Sequence, residues 1–189
     1  MADATDDRGR FWTPAPDWPT AALEGEGWRA RCVGGLRQTL VSGDLAAARA
    51  ALAPGAGEVG LWGVAGEGTA IVRIARDRAL VVSPPRFDIA PGWHDGFAAT
   101  PCDDAYAVIA LSGPGIAALV AEGTAAGLAA GSPSAAVLFA GVSCLLYRTQ
   151  PQAARLHVES PFAAYIWTWL EGCVARPANP AAGDEGARA

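Results

Sequence analysis

Two histidines, four cysteines and a few adjacent carboxylates are the residues that could do chemistry in this chain. His94 stands beside Asp95 in Gly-Trp-His-Asp-Gly, an order that could orient a general base. No Gly-x-Ser-x-Gly elbow and no adjacent cysteine offers it a nucleophile, so the pair reads as a polar loop. His157 alternates with Leu156 and Val158 in a strand pattern and is expected to face solvent or a partner. Asp103-Asp104 stand at a strand entrance and read as solvated. Cys32, Cys102, Cys144 and Cys173 are far apart and include no Cys-x-x-Cys pair. They are expected as buried, reduced thiols without a disulfide. Two histidines cannot complete a set of four convergent zinc ligands with thiols so scattered.

Two glycine-rich stretches have dinucleotide-like spacing. Gly55-Ala-Gly57-Glu-Val-Gly60 follows a helix pattern and runs into a strand, the reverse of the order that points a helix N-terminus at a pyrophosphate. Gly113-Pro-Gly115-Ile-Ala-Ala118 has the right order, strand then helix. It lacks an acidic residue about twenty positions on to hold a ribose. Its glycines are read as allowing a tight turn with close backbone packing. All fourteen basic residues are arginine. Without lysine there is no phosphate-loop signature and no Schiff-base chemistry. No catalytic, cofactor-binding or metal-ligating residue is therefore assigned.

Tryptophan is unusually frequent, with seven in 189 residues. Taking Phe162 as the wheel origin of a final helix, Ile166, Trp169 and Cys173 share one face at 100° per residue. Trp167 falls off that stripe, beside Ala163 and Leu170. The final helix therefore reads either as having a wide buried face or as exposing Trp167 as an aromatic anchor for another subunit, since tryptophan is enriched in interface hot spots.

The elements that must position these residues follow from pattern. Half of the chain is hydrophobic and 17% is charged, enough for a real core. A net charge of −5 argues against nucleic-acid and anionic-membrane binding. No run of about 18 apolar residues suggests a membrane span. The acidic first residues lack a signal-peptide core, so a cytoplasmic location is expected. Residues 1–20 and 176–189 read as flexible ends flanking a domain at 21–175. Within it, a strand and a helix capped by Asp44 precede strands at 59–63, 70–75 and 79–83. The same grammar returns as a strand at 105–111, a helix after Pro114, strands at 135–140, 143–149 and 155–158, and a final helix from Ser160-Pro161. Leu40-Val-Ser-Gly43 matches Ala110-Leu-Ser-Gly113 at an offset of 70, and Val82-Ser-Pro84 matches Glu159-Ser-Pro161 at 77. The fold class is α+β, with two related lobes at about 28–100 and 104–175.

Three blocks carry a family resemblance: Asp104-Ala-Tyr-Ala-Val-Ile-Ala-Leu-Ser-Gly-Pro-Gly115, Leu145-Leu-Tyr-Arg148, and Arg155-Leu-His-Val-Glu-Ser-Pro-Phe-Ala-Ala-Tyr-Ile-Trp-Thr-Trp-Leu170. In their order and spacing the chain resembles the gamma subunit of heterotetrameric sarcosine oxidase, a family similar to the folate-binding domain of the glycine-cleavage T-protein. The likeness runs from about 28 to 175. It implies a T-protein-like lobe pair and a non-catalytic role in a complex that demethylates sarcosine or a related N-methyl amine, with tetrahydrofolate as one-carbon acceptor. It implies partners of alpha and beta type, with delta as a further candidate. FAD, FMN, NAD and tetrahydrofolate would be held by those partners, and no cofactor by this chain. A stand-alone folate-dependent aminomethyltransferase is the alternative, disfavoured because the T-protein has three domains. An iron–sulfur assembly relative would need a Lys-Gly-Cys signature, which a chain without lysine lacks.

Overall fold

The computed structural model describes residues 15–66, 68–84 and 89–175. In chain order the strands and helices are β1 (Ala22–Gly25), β2 (Trp28–Cys32), β3 (Arg37–Gly43), α1 (Leu45–Leu52), β4 (Gly57–Val59), β5 (Ala70–Ala75), β6 (Arg78–Ser83), β7 (Gly92–Trp93) and β8 (Phe97–Pro101). They continue as β9 (Tyr106–Ser112), α2 (Ile116–Gly123), β10 (Ala136–Phe139), β11 (Val142–Gln150), β12 (Ala153–Glu159) and α3 (Ala163–Val174). The expected flexible ends at 1–14 and 176–189 lie outside the described residues. Residues 15–20 do not behave as loose chain: a turn closes from Thr20 and Ala21 N–H onto the Asp17 carbonyl, and Trp18 packs against the core.

Strand alternation sorts the side chains into four layers, helix, sheet, sheet and helix. One sheet runs β1-β2-β9-β12-β11-β10 and the other β7-β8-β3-β6-β5-β4. On the second, Val41, Ile71, Val81, Phe97 and Ala99 face α1, where they meet Leu45 and Ala48. Val72, Leu80 and Val82 point the other way and pack on Leu145 and Tyr147 of the first sheet. The far face of the first sheet, with Ile109, Leu111, Leu146, Leu156 and Val158, is covered by α2 and α3. Asp44 caps α1 by accepting from Ala46 and Ala47 N–H at 2.9 and 3.1 Å, as its position before the apolar run predicts.

The strand–helix–three-strand unit occurs twice, as β3-α1-β4-β5-β6 and β9-α2-β10-β11-β12, and within each sheet the three later strands sit on the same side of the first. Register refines the alignment of the halves. Arg78 lies opposite Ser42, and Ala153 opposite Ser112, an offset of 75 rather than 77 for the last strand. The lobe boundaries need correction. The hairpin β1–β2 precedes the first unit but pairs with β9 of the second, while β7–β8 precedes the second unit and pairs with β3 of the first. The halves thus exchange hairpins, and residues 28–32 belong to the sheet of the later half. Sequence periodicity finds the repeated unit, but no local signal tells a hairpin which sheet it will join.

Glycine marks the exchange. Gly43 and Gly113, equivalent in the Ser-Gly repeat, both have φ near +117° (117° and 116°). A Cβ on Gly113 would lie 2.4 Å from the Gly27 carbonyl oxygen, and one on Gly43 would lie 2.5 Å from that of Gly96. Each unit therefore ends its first strand against the turn of the hairpin lent by the other. The expected strand at 59–63 stops at Val59 because the chain there leaves one sheet for the other: Leu61 N–H donates to the Ser132 and Ser134 carbonyls, both at 3.0 Å.

Candidate functional site

Two segments carry the chain between sheets, 33–36 from β2 to β3 and 102–105 from β8 to β9. A cleft of about 430 Å³ opens where they lie side by side, with Trp18, Cys32, Leu36, Asp103, Tyr106 and Ser160 on its walls. Gly34 leaves its floor open, since nothing stands within 4 Å of where its Cβ would be. Asp103 is not solvated as expected. Its carboxylate accepts from Arg37 Nη1 and from Gln38 N–H, both at 2.6 Å. Asp104 is exposed, and its carbonyl accepts from Ser160 Oγ at 2.6 Å.

Behind the cleft lies His157, the most buried polar residue among the described residues. Instead of facing solvent or a partner, it is fully buried between the sheets, on the same face as Tyr147. The Gln38 side-chain amide fixes the polarity of the network. Its Nε2 donates to the Asp103 and Tyr106 carbonyls at 3.2 and 3.0 Å, so Oε1 is left to accept. His157 Nδ1, 2.7 Å away, is then the donor, and its Nε2 accepts from the Tyr147 hydroxyl at 3.2 Å. Burial, and then the Arg155 charge, pushes the imidazole pKa down to about 3. Burial raises the Tyr147 phenol, against a lowering hydrogen bond and charge from Arg155. The histidine is a neutral strut between sheets, with every ring nitrogen committed. Strand alternation alone could not locate it, because both faces of its strand are covered.

The remaining sequence candidates are also occupied by structure. His94 Nε2 lies 2.9 Å from the Ala90 carbonyl, and its ring stacks on Phe97 with centroids 4.8 Å apart. The N–H of Gly115, at the start of α2, donates to the Gly27 carbonyl at 2.8 Å, so the hairpin turn sits where a phosphate would. Cys144 is buried and Cys32, Cys102 and Cys173 are half-buried, and none of the four is in a disulfide. Burial raises the thiol of Cys32 to about 11 and that of Cys144 to about 12, with Glu159 adding to the latter. Such thiols stay protonated and are poor nucleophiles. Among the described residues no cluster of His, Cys, Asp or Glu could hold a metal ion, and no helix is long and apolar enough to cross a membrane.

Trp167 requires a correction. It is 3% exposed, packed with Ala163, Ile166 and Leu170 onto the first sheet, and Trp18 meets it edge-on at 5.9 Å. Ser160–Phe162 forms a 3-10 turn, so Phe162 lies outside the helix and the wheel drawn from it is rotated. The true stripe is 163, 166, 167 and 170. Phe162 itself is exposed, and Trp169 is half-buried against Phe139, centroids 5.0 Å apart. A side chain enclosed within its own chain offers a partner nothing. Among the described residues the most exposed aromatic is Trp93, 77% exposed on the edge strand β7. The sequence concealed it, because Gly-Trp-His-Asp-Gly reads as a loop.

No family model and no curated protein matches the sequence. Among solved structures, the chain is similar to a chain of the heterotetrameric sarcosine oxidase from Corynebacterium sp. U-96 in complex with pyrrole 2-carboxylate. The two are 21% identical, with a TM-score of 0.62 over 82% of this chain and 91% of that one. The fold is therefore shared along about four-fifths of this chain and nine-tenths of that one.

Proposed function

We propose that this chain is a gamma-type, non-catalytic subunit of a heteromeric flavoprotein oxidase or dehydrogenase. The assembly would oxidatively demethylate sarcosine or a related N-methyl amine, with tetrahydrofolate as one-carbon acceptor. The observation that carries this reading is the reciprocal coverage: two chains of nearly equal length share one fold, and the other is part of a heterotetrameric sarcosine oxidase. A resemblance to one domain of a large catalytic chain would not cover nine-tenths of its partner. The repeated unit with exchanged hairpins supports the T-protein-like lobe pair that the sequence blocks imply.

The chemistry of the described side chains points the same way. The buried histidine is neutral and fully engaged, the Cys32 and Cys144 thiols are protonated, and the better glycine motif is filled by backbone. FAD, FMN, NAD and tetrahydrofolate belong, on this reading, to alpha- and beta-type partners, with or without delta, in the cytoplasm. The test is recovery of a tagged chain from its native cells. Two larger chains in fixed ratio, together with N-methyl amine oxidation in the same fraction, are expected. A chain recovered alone, and transferring a one-carbon unit to folate by itself, would replace this reading with the aminomethyltransferase alternative.

A further inference from the structure

The face that the first sheet turns toward the second is exposed at its β1–β2 end, at Ala22, Glu24, Arg29 and Arg31, and there it is basic. Arg31 of β2 and Arg155 of β12 both lie directly opposite Ala110 of β9, one on each side. The three residues share a face, and the two arginines stand roughly 10 Å apart at Cα, twice the strand spacing. Arg31 is exposed, and Ala22 lies opposite it on β1, so its row contains no carboxylate. In the next row Arg29 lies opposite Ser112, whose side chain is exposed. Glu24 pairs with Arg29 and is the one acid of this patch among the described residues. Arg155 is half-buried and hydrogen-bonded to the hydroxyl of Tyr147, which lies opposite it on β11. A patch with three guanidinium groups and one carboxylate, on a chain of net charge −5, runs against the charge of the whole molecule.

We infer that this shelf, Arg31 and Arg155 over Ala110 with Ser112 beside them, docks an acidic segment of a partner chain through a carboxylate side chain. Charge complementarity selects the occupant. The alanine floor lets a carboxylate approach between two forked donors, the geometry in which arginine binds it best. The low net basicity of the patch suits a short acidic stretch better than a nucleic-acid backbone, which needs many phosphate contacts. The inference rests on the subunit reading only for where that segment comes from; the shelf can be tested on the chain itself.

The test is a titration of the isotope-labelled full chain with a hexaglutamate peptide, followed by amide chemical shifts, with Arg31→Glu as the control variant. Arg31 is exposed, so the reversal should leave the fold and the remaining spectrum unchanged. Saturable shifts centred on Ala30–Cys32 and Ala110–Ser112, weakened at least tenfold in Arg31→Glu, are expected. Shifts elsewhere, none at all, or equal binding by the variant would overturn the shelf. An oligonucleotide that binds the same residues as tightly as the peptide would overturn the carboxylate assignment. If Arg31→Glu still co-purifies in full amount with partner chains, the shelf is wrong while the subunit reading stands.

Discussion

His157 makes stability depend on pH in a definite direction. Its folded pKa of about 3 lies below the unfolded value of 6.5, because burial and Arg155 oppose its charge. Below 6.5 the unfolded chain binds a proton that the folded chain refuses, so its contribution is complete above that pH and is lost as pH falls toward 3. Each unit of depression corresponds to about 1.4 kcal/mol. Urea midpoints should hold steady near neutrality and drop steeply by about pH 4.5. His157→Gln should be weaker at neutral pH but flatter below it, and an unchanged slope would rule out His157 as the titrating group. Gly113→Ala tests the other special residue. Its Cβ would overlap the Gly27 carbonyl at a φ that alanine avoids, so a loss of about 1–3 kcal/mol is expected in chemical denaturation. The Ser-Gly repeat was legible in the sequence, but what it touches was not, because the contact lies some 86 residues away along the chain.

At the scale of elements, the helices and strands of both units, apart from β4, followed from periodicity and caps. Asp44 and the alternating runs of β5, β6, β9 and β11 announce themselves locally. Both hairpins were missed. β1 and β7 are four and two residues long, too short to show a period. The final helix shows how a small local error travels: one 3-10 turn before Ala163 rotates the buried stripe and exchanges the expected roles of two tryptophans. Trp167→Ala should cost about 3–5 kcal/mol of folding stability, as for other truncated core aromatics. Trp93→Ala should change it by no more than about 0.5 kcal/mol. Thermal melts of the two variants decide between these assignments, and equal losses would mean that α3 is not packed as described.

Across the whole molecule, exchanged hairpins make the halves interdependent. A fragment ending at Pro84 would carry β1–β2 without the β9 they pair with, and one starting at Ile89 would carry β7–β8 without β3. Expressed separately, each should remain unfolded, and together they should form a one-to-one complex with cooperative melting. A fragment that folds alone would contradict the exchange. Interdependent halves fit the docking role proposed above, with Gln38 and His157 joining the sheets and an aromatic edge and a basic shelf exposed. Sequence alone could not assemble that shelf, since Arg31 and Arg155 meet only through β9. The central claim, that this chain serves a flavoprotein complex without holding its chemistry, is tested most directly by flavin absorbance. The assembly drawn from native cells through this chain should carry a flavin band that sarcosine or a related N-methyl amine bleaches in the absence of oxygen, whereas the chain expressed alone should be colourless. A flavin bound to the isolated chain, or a native assembly without flavin, would contradict it.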